Sequence, residues 1–329
     1  MPHEYWRETL ERSEKKLYDS MVSAFSRYQQ RVTCGNLTPE EIERVYMAVC
    51  FDHPELYHLP YNLGFTVVTG MFGAITTLKI TNLYSDAQIR KLNQKIESVC
   101  QDLAVQLSVA QTDREKEQYI CEYLIGNTVY EINNLYNQNA ATVICDNKGQ
   151  CSGIAKATKL LLNRFGIDAI VIDGTATVND GKVEPHAWNI VKIGGEYFHL
   201  DVTFMIGSNL RKIKPYQLVY FNCLDEDVRK NHTWDESKAP KCSRARSTDN
   251  SGEVTGPITA ISSLYELRIR LKQAVLGCER CLIFESKIQL PAEKLETFIQ
   301  KCCQDVQSAL GTQINMDITV YGVTVAISW

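Results

Sequence analysis

Two runs rich in β-branched and aromatic residues, 183–193 (VEPHAWNIVKI) and 196–202 (EYFHLDV), are joined by Gly194 and Gly195 alone. So short a Gly-Gly link leaves one compact solution, a tight antiparallel hairpin, because the turn that matches strand twist needs positive φ at its central positions. Across a two-residue turn, opposed residues have numbers that sum to an odd value. With that two-residue loop His186 and Asp201 project from one face, opposed or diagonally adjacent, and His199 shares that face, whereas a three-residue loop would separate His186 from Asp201. A further strand is expected over 167–172. Before it, GQCSGIAKATKLLLNRFG reads as a helix: Ile154, Ala157, Leu161, Leu162 and Phe165 recur at helical spacing, and Gly166 supplies the left-handed residue that ends it. A helix feeding antiparallel strands places this part of the chain in the α+β class.

The flanking segments read as further small α+β pieces. Thr38-Pro39-Glu40-Glu41 joins an N-cap residue, a proline at the first helical position and a glutamate at the third, which predicts a helix through Cys50 that Asp52-His53-Pro54 stops. One long helix is expected over 4–31, and paired strands over 65–69 and 75–81 around Gly70 and Gly73. Ser85 with Gln88 caps a helix to about Leu107. Thr112-Asp113-Arg114-Glu115 opens another to about Tyr136, and past Asn139 a loop is expected to Gly149. KAPKCSRARSTDNSGEVTGP (238–257) has almost no large apolar residue and reads as a linker, after which 264–276, 281–288, 292–310, 314–321 and 323–329 read α-β-α-β-β. The expected division is an N-terminal α+β region at 1–110, a central domain at 111–242, a linker at 243–257 and a small C-terminal domain at 258–329.

Charge and cysteine usage exclude some partners. With 35 Lys plus Arg against 39 Asp plus Glu, the net charge is −4, which gives no field for gripping polyphosphate, so nucleic acid is not an expected partner. The first thirty residues mix charged and apolar side chains without the apolar stretch of an export signal, and a cytoplasmic location is expected. The uncharged stretch 59–78 contains Pro60, Gly64, Gly70 and Gly73, a composition closer to a β-hairpin than to a membrane span, and no membrane partner is expected. The 12 cysteines are spread from Cys34 to Cys303, as reduced buried thiols would be. Cys278, Cys281, Cys302 and Cys303 offer four sulfurs, but adjacent cysteines cannot easily aim at one tetrahedral ion; they read as filler, and no metal or cofactor is expected.

The chemistry concentrates around Cys151, at the first turn of the patterned helix, where unpaired N–H groups and the positive end of the helix dipole favour a thiolate. Small neighbours, Gly149, Ser152 and Gly153, leave room for a carbonyl to approach, and the same N–H groups could receive an oxyanion. His186, at the start of its strand, is the candidate base and Asp201 its partner. His199 is a rival, but lies between bulky Phe198 and Leu200 in mid-strand, where a structural role is expected. His3, His53 and His58 have no comparable partners, and His232, in KNHTWD, reads as a loop or packing residue.

At these residues the stretch 112–242 resembles the transglutaminase-like superfamily, in particular its bacterial cysteine-hydrolase branch. The matching segments are Gly149-Gln150-Cys151-Ser152-Gly153, His186-Ala187-Trp188-Asn189 and His199-Leu200-Asp201-Val202-Thr203. Tyr220-Phe221-Asn222, Asp225 and His232 resemble the tail that closes this domain in bacterial members. The resemblance implies a papain-like α+β core in the 111–242 domain, with the Cys-bearing helix packed on an antiparallel sheet, Cys151 as nucleophile, His186 as base and Asp201 as its orienter. Gln150, Ser152 and Trp188, in the same segments, are candidate substrate-binding or oxyanion residues. Ser152 stands where animal transglutaminases have a Trp, and nothing resembles their acidic calcium loops, so calcium-activated Gln-Lys cross-linking does not carry over. The expected function is hydrolysis of a peptide or isopeptide bond in a peptide or protein substrate through an acyl-enzyme. The alternatives are acyl transfer to an amine, as in a protein-glutamine transglutaminase, and a non-catalytic protein-interaction module on the same fold.

Overall fold

The computed structural model describes residues 4–61, 64–70, 73–108, 110, 112–132, 135–178, 181–207, 220–243, 259–261, 263, 266–271, 281–288, 292–310, 317–321 and 324–328. The chain divides into two compact units, one built from 1–176, 183–203 and 220–244, the other from 177–182, 204–219 and 245–329.

The first unit opens with two helices where the sequence predicts one, α1 (Tyr5–Glu8) and α2 (Arg12–Phe25). The break has a local cause: Glu11 takes the N-cap position and closes a capping box with Glu14. The free N–H groups of Trp6 and Arg7 in α1 donate to the Asp52 carboxylate at 3.1 and 2.9 Å. An unexpected strand, β1 (Arg31–Gly35), follows, and then α3 (Pro39–Asp52) begins at its expected cap: Glu41 N donates to Thr38 Oγ1 at 3.2 Å and Thr38 N to Glu41 Oε2 at 2.7 Å. β2 (Gly64–Gly70) and β3 (Gly73–Lys79) form the expected hairpin, turning at Gly70 and Gly73, in a sheet of order β1-β3-β2. Among the described residues no helix is long and apolar enough to cross a membrane. Tyr18, Met21, Phe25, Ile42, Tyr46 and Leu78 lie in the core these elements share.

α4 (Asp86–Leu107) and α5 (Asp113–Asn127) begin at their capping boxes. α5 stops nine residues short of the expected end at Tyr136, because Val129–Tyr130 form a short strand, β4, that pairs in parallel with β5 (Lys148–Gly149). The loop expected before Gly149 contains a 3₁₀ turn (Leu135–Gln138) and α6 (Ala140–Asp146). Asn139 caps α6, accepting from Thr142 N at 3.1 Å, and Asn147 ends it at φ 58°. Next come α7 (Cys151–Arg164), β6 (Ala169–Thr177), β7 (Val183–Ile193), β8 (Glu196–Leu200), α8 (Val202–Gly207), α9 (Asp225–Val228) and a further unexpected strand, β9 (His232–Trp234). The sheet order is β8-β7-β6-β9. Asn189 on β7 ties the helix to the sheet, donating to Ala155 O on α7 at 2.9 Å and to Ile170 O on β6 at 3.1 Å. The Cys-bearing helix packs on an antiparallel sheet, and the fold is α+β.

The second unit holds β10 (Thr259–Ile261), a helix α10 over 266–271, β11 (Cys281–Ser286), α11 (Ala292–Leu310), β12 (Asp317–Tyr321) and β13 (Thr324–Ser328). Its sheet order is β10-β11-β13-β12, with β10 parallel to β11, so a strand precedes the series read from the sequence. Cys302 and Cys303 are buried on α11 among Leu295, Ile299, Val325 and Ile327, as apolar filler. The linker expected at 243–257 lies outside the described residues apart from Ser243, and so does Cys278.

Candidate active site

Cys151 is the first residue of α7, and the backbone before it is pinned by Gln150 N donating to Asn137 O at 2.8 Å. The flanking glycines have another use than the open approach expected for a substrate carbonyl. A Cβ at Gly149 would meet Val143 Cγ2 at 2.5 Å, and one at Gly153 would collide with Asn137 O. They let the 137–139 backbone and α6 close against the start of α7. Ser152 is buried, and its hydroxyl has no partner among the described residues. Cys151 itself is partly exposed, whereas most of the described cysteines are buried. Burial pushes the thiols of Cys145 up to about 11 and of Cys223 and Cys303 up to about 12, so these stay protonated near neutrality.

The β7–β8 register pairs Ile193 with Glu196 and Asn189 with Leu200, which makes Gly194-Gly195 the two-residue turn, at φ +60° and +89°. Continued by one residue, this register sets Asp201 across from Trp188 and diagonal to His186. The His186 Nε2 to Asp201 Oδ2 distance is 2.7 Å, both groups being buried. Nδ1 is thereby left for Cys151, with whose thiol the ring shares a hydrogen bond. Burial opposes the imidazolium, but the charge and hydrogen bond of Asp201, with Cys151 adding to them, outweigh it and raise the pKa of His186 to about 10. Asp201 is pulled the other way: against its burial, His186 and then His232 hold it well below the ordinary carboxylate range. Its N–H donates to Tyr220 O at 3.0 Å.

His232 was missed as a member of this group. It starts β9 and is buried, with Nε2 at 3.0 Å from the same Asp201 Oδ2. KNHTWD carries no periodicity long enough to announce a three-residue strand, so no local signal pointed inward.

His199 shares the face of His186 and is turned elsewhere. Trp188 Nε1 donates to its Nδ1 at 2.9 Å, and its Nε2 lies 3.0 Å from Asp225 Oδ1. Burial, opposed by Asp225 and aided by His232 and Arg229, lowers its pKa to about 4, so it is neutral with the proton on Nε2. Trp188, a candidate substrate or oxyanion contact, is only 1% exposed and gives its N–H to His199. It is instead a platform, stacked on His186 at 5.8 Å between centroids with 15° between planes. Among the described residues, two clusters bring three metal-ligating side chains together, His186–Asp201–His232 and His199–Asp225–Cys242. Neither calls for an ion, because in each the imidazole Nε2 already faces a carboxylate oxygen.

Two half-exposed tyrosines lie within electrostatic reach of the Cys151 thiol and were not read from the sequence. Tyr61 comes from the N-terminal region and Tyr130 from β4; burial, with Cys151, Glu184 and Asp201 adding, raises Tyr130 to about 12. Lys156, five residues along α7, places Nζ 5.5 Å from the Tyr61 ring centre.

Residues 101–202, from the last turns of α4 to Val202, match the family model of the transglutaminase-like superfamily. Among solved structures, the chain is similar to a TGase at 15% identity, covering 51% of this chain and 48% of that one with a TM-score of 0.31. It is similar to a provisionally assigned cysteine protease from Cytophaga hutchinsonii at 16% identity, covering 43% of this chain and 62% of that one with a TM-score of 0.29. For a provisionally assigned protease from Parabacteroides distasonis the identity is 12%, the coverage 45% of this chain and 37% of that one, and the TM-score 0.27. The chain spans less than two thirds of the length of each. No curated protein matches it.

Proposed function

We propose that this protein is a cysteine hydrolase that cleaves amide bonds in peptides or proteins, with Cys151 as nucleophile, His186 as base and acid, and Asp201 as the group that orients His186. The observation that carries the reading is the position of His186, joined to Asp201 at 2.7 Å on one side and to the Cys151 thiol on the other. The Cys151 sulfur attacks the amide carbonyl carbon, and the carbonyl electron pair moves onto oxygen, where N–H groups of the first turn of α7 and the Gln150 side chain are the proposed donors. As that pair returns, the C–N bond breaks and His186 passes its proton to the leaving amine. Water, deprotonated by His186, then adds to the thioester; the acid departs and the thiol is restored. Tyr61 and Tyr130 are proposed walls for the substrate, and the regions outside 111–242 are proposed to restrict or deliver it. A cytoplasmic setting suits the free thiols of the ten cysteines whose side chains are described.

The test begins with limiting iodoacetamide near neutral pH and mapping of the modified cysteine. Cys151 should be labelled first among the 12 thiols, and Cys151→Ala should end cleavage of a denatured peptide library read by mass spectrometry. Incorporation of a fluorescent amine into dimethylated casein, without cleavage, would replace hydrolysis with acyl transfer. An unreactive Cys151 in the folded protein would leave the non-catalytic module.

A further inference from the structure

We propose that His232 is a positioning residue for this site, acting through Asp201; the assignment rests on the proposed function. A single oxygen, Asp201 Oδ2, lies 2.7 Å from His186 Nε2 and 3.0 Å from His232 Nε2. The two imidazoles come from different strands, β7 and β9, and converge on a carboxylate that follows a third, β8. The ring of His232 meets an acceptor at each nitrogen: Nδ1 is 2.7 Å from Asn231 Oδ1, whose amide Nδ2 donates to the Tyr220 hydroxyl at 3.0 Å, and Nε2 faces Asp201. Trp188 meets the ring edge-on at 5.0 Å between centroids. Burying this run of polar groups carries a desolvation cost that an apolar residue at 232 would avoid, and what the run does is present one N–H to Asp201.

That N–H matters when His186 gives up its proton. Without His232 the carboxylate loses one of two imidazole donors on the same oxygen and turns away or takes up a proton more readily as His186 changes state; the bond from β9 holds the oxygen in place and keeps it ionised. The ionisable groups around Asp201 are His186 from β7, His232 from β9, Cys223 from the segment before α9 and Tyr130 from β4; His199 from β8 and Tyr220 also face His232. Removal of the His232 donor makes the carboxylate easier to protonate, so the acid limb of Cys151 reactivity moves to higher pH.

The experiment measures the rate of Cys151 alkylation by iodoacetamide across pH in the full chain, with circular dichroism to verify folding. His232→Leu should raise the midpoint of the acid limb by about one pH unit, the size expected for loss of a hydrogen bond to a charged group. His232→Gln, which keeps an N–H donor toward Asp201 in place of the ring, should shift the midpoint by clearly less than Leu, a partial rescue that packing alone would not give. Should His232→Leu fail to fold, Asn231→Leu removes the anchor of the ring and should shift the limb in the same direction by less. An unchanged limb in the folded Leu variant, or a Gln variant that shifts as far as Leu, overturns the assignment while leaving the proposed function standing. If Cys151 of the unaltered protein does not react, the function and the assignment fall together.

Discussion

His186 keeps its proton through the neutral range because Asp201 and Cys151 together outweigh the burial that would remove it, raising its pKa to about 10. A raised histidine pKa adds stability that is complete below the unfolded value of roughly 6.5 and is lost as pH climbs toward 10. Asp201, depressed, adds stability that is present above the ordinary carboxylate range and is lost as pH falls through its folded value. The melting temperature should therefore decline between about pH 6.5 and 10 more steeply in the unaltered protein than in His186→Gln, which thermal melts across that window would show; parallel curves would mean that the ring is not held as an imidazolium. In the same series, His186→Ala should slow alkylation of Cys151 near neutrality by about a hundredfold, and His199→Ala, whose bonds go to Asp225 and Trp188, should leave it within roughly threefold. The place of Cys151 at a helix start and of His186 and Asp201 on one hairpin face was legible in the sequence, because a two-residue glycine turn and a helix start are local facts. His232 was not, because its partner lies 31 residues away across a sheet whose β9 edge is too short to leave a pattern.

At the level of elements, starts were readable and ends were not. Thr38, Ser85 and Thr112 each bond within their own first turn, so the capping boxes located α3, α4 and α5 at their true beginnings. The end of α5 was misplaced because it is set by a partner far along the chain: Val129 N donates to Asn147 O at 2.8 Å, which draws the chain into β4. α5 also carries a testable feature in Glu117, which is fully buried; Oε2 accepts from Asn222 Nδ2 at 3.0 Å, and Oε1 has no partner among the described residues. Burial raises its pKa to about 8, against the hydrogen bond from Asn222 and the charge of Arg114. A carboxyl held neutral in the fold costs nothing below its unfolded pKa near 4.5, costs more with each pH unit up to about 8, and is a constant burden above that. Glu117→Gln, neutral at every pH and able to accept from Asn222, should raise the melting temperature at pH 8 and above by several degrees and leave it unchanged near pH 4. A gain that is the same at both pH values would assign the effect to packing.

On the scale of the first unit, the N-terminal helices and the helix that carries Cys151 meet at one buried carboxylate. Asp52, at the end of α3, accepts from Trp6 N and Arg7 N of α1, from the Tyr18 hydroxyl of α2 at 3.1 Å, and from Lys159 Nζ of α7 at 3.5 Å. Trp6 also reaches the sheet, giving its indole N–H to Val171 O at 2.8 Å. Nothing in FDHPEL marked Asp52 as more than a helix stop, since its four donors lie between 34 and 107 residues away. Lys159 is fully buried; burial lowers its pKa and Asp52 opposes that. Asp52→Asn would leave an ammonium in an apolar setting without its counter-charge, at a cost of about 3–5 kcal/mol. Chemical denaturation should show a loss of that size, with slower Cys151 alkylation wherever the start of α7 loosens. Adding Lys159→Met removes the stranded charge and fills its volume, so the double variant should recover more than half of the loss, although Trp6 and Arg7 then donate to an amide oxygen in place of a carboxylate. If Asp52→Asn costs no more than Lys159→Met alone and the pair is simply additive, Asp52 is only a cap for α1, and the N-terminal helices are not coupled to the nucleophile's helix through this charge.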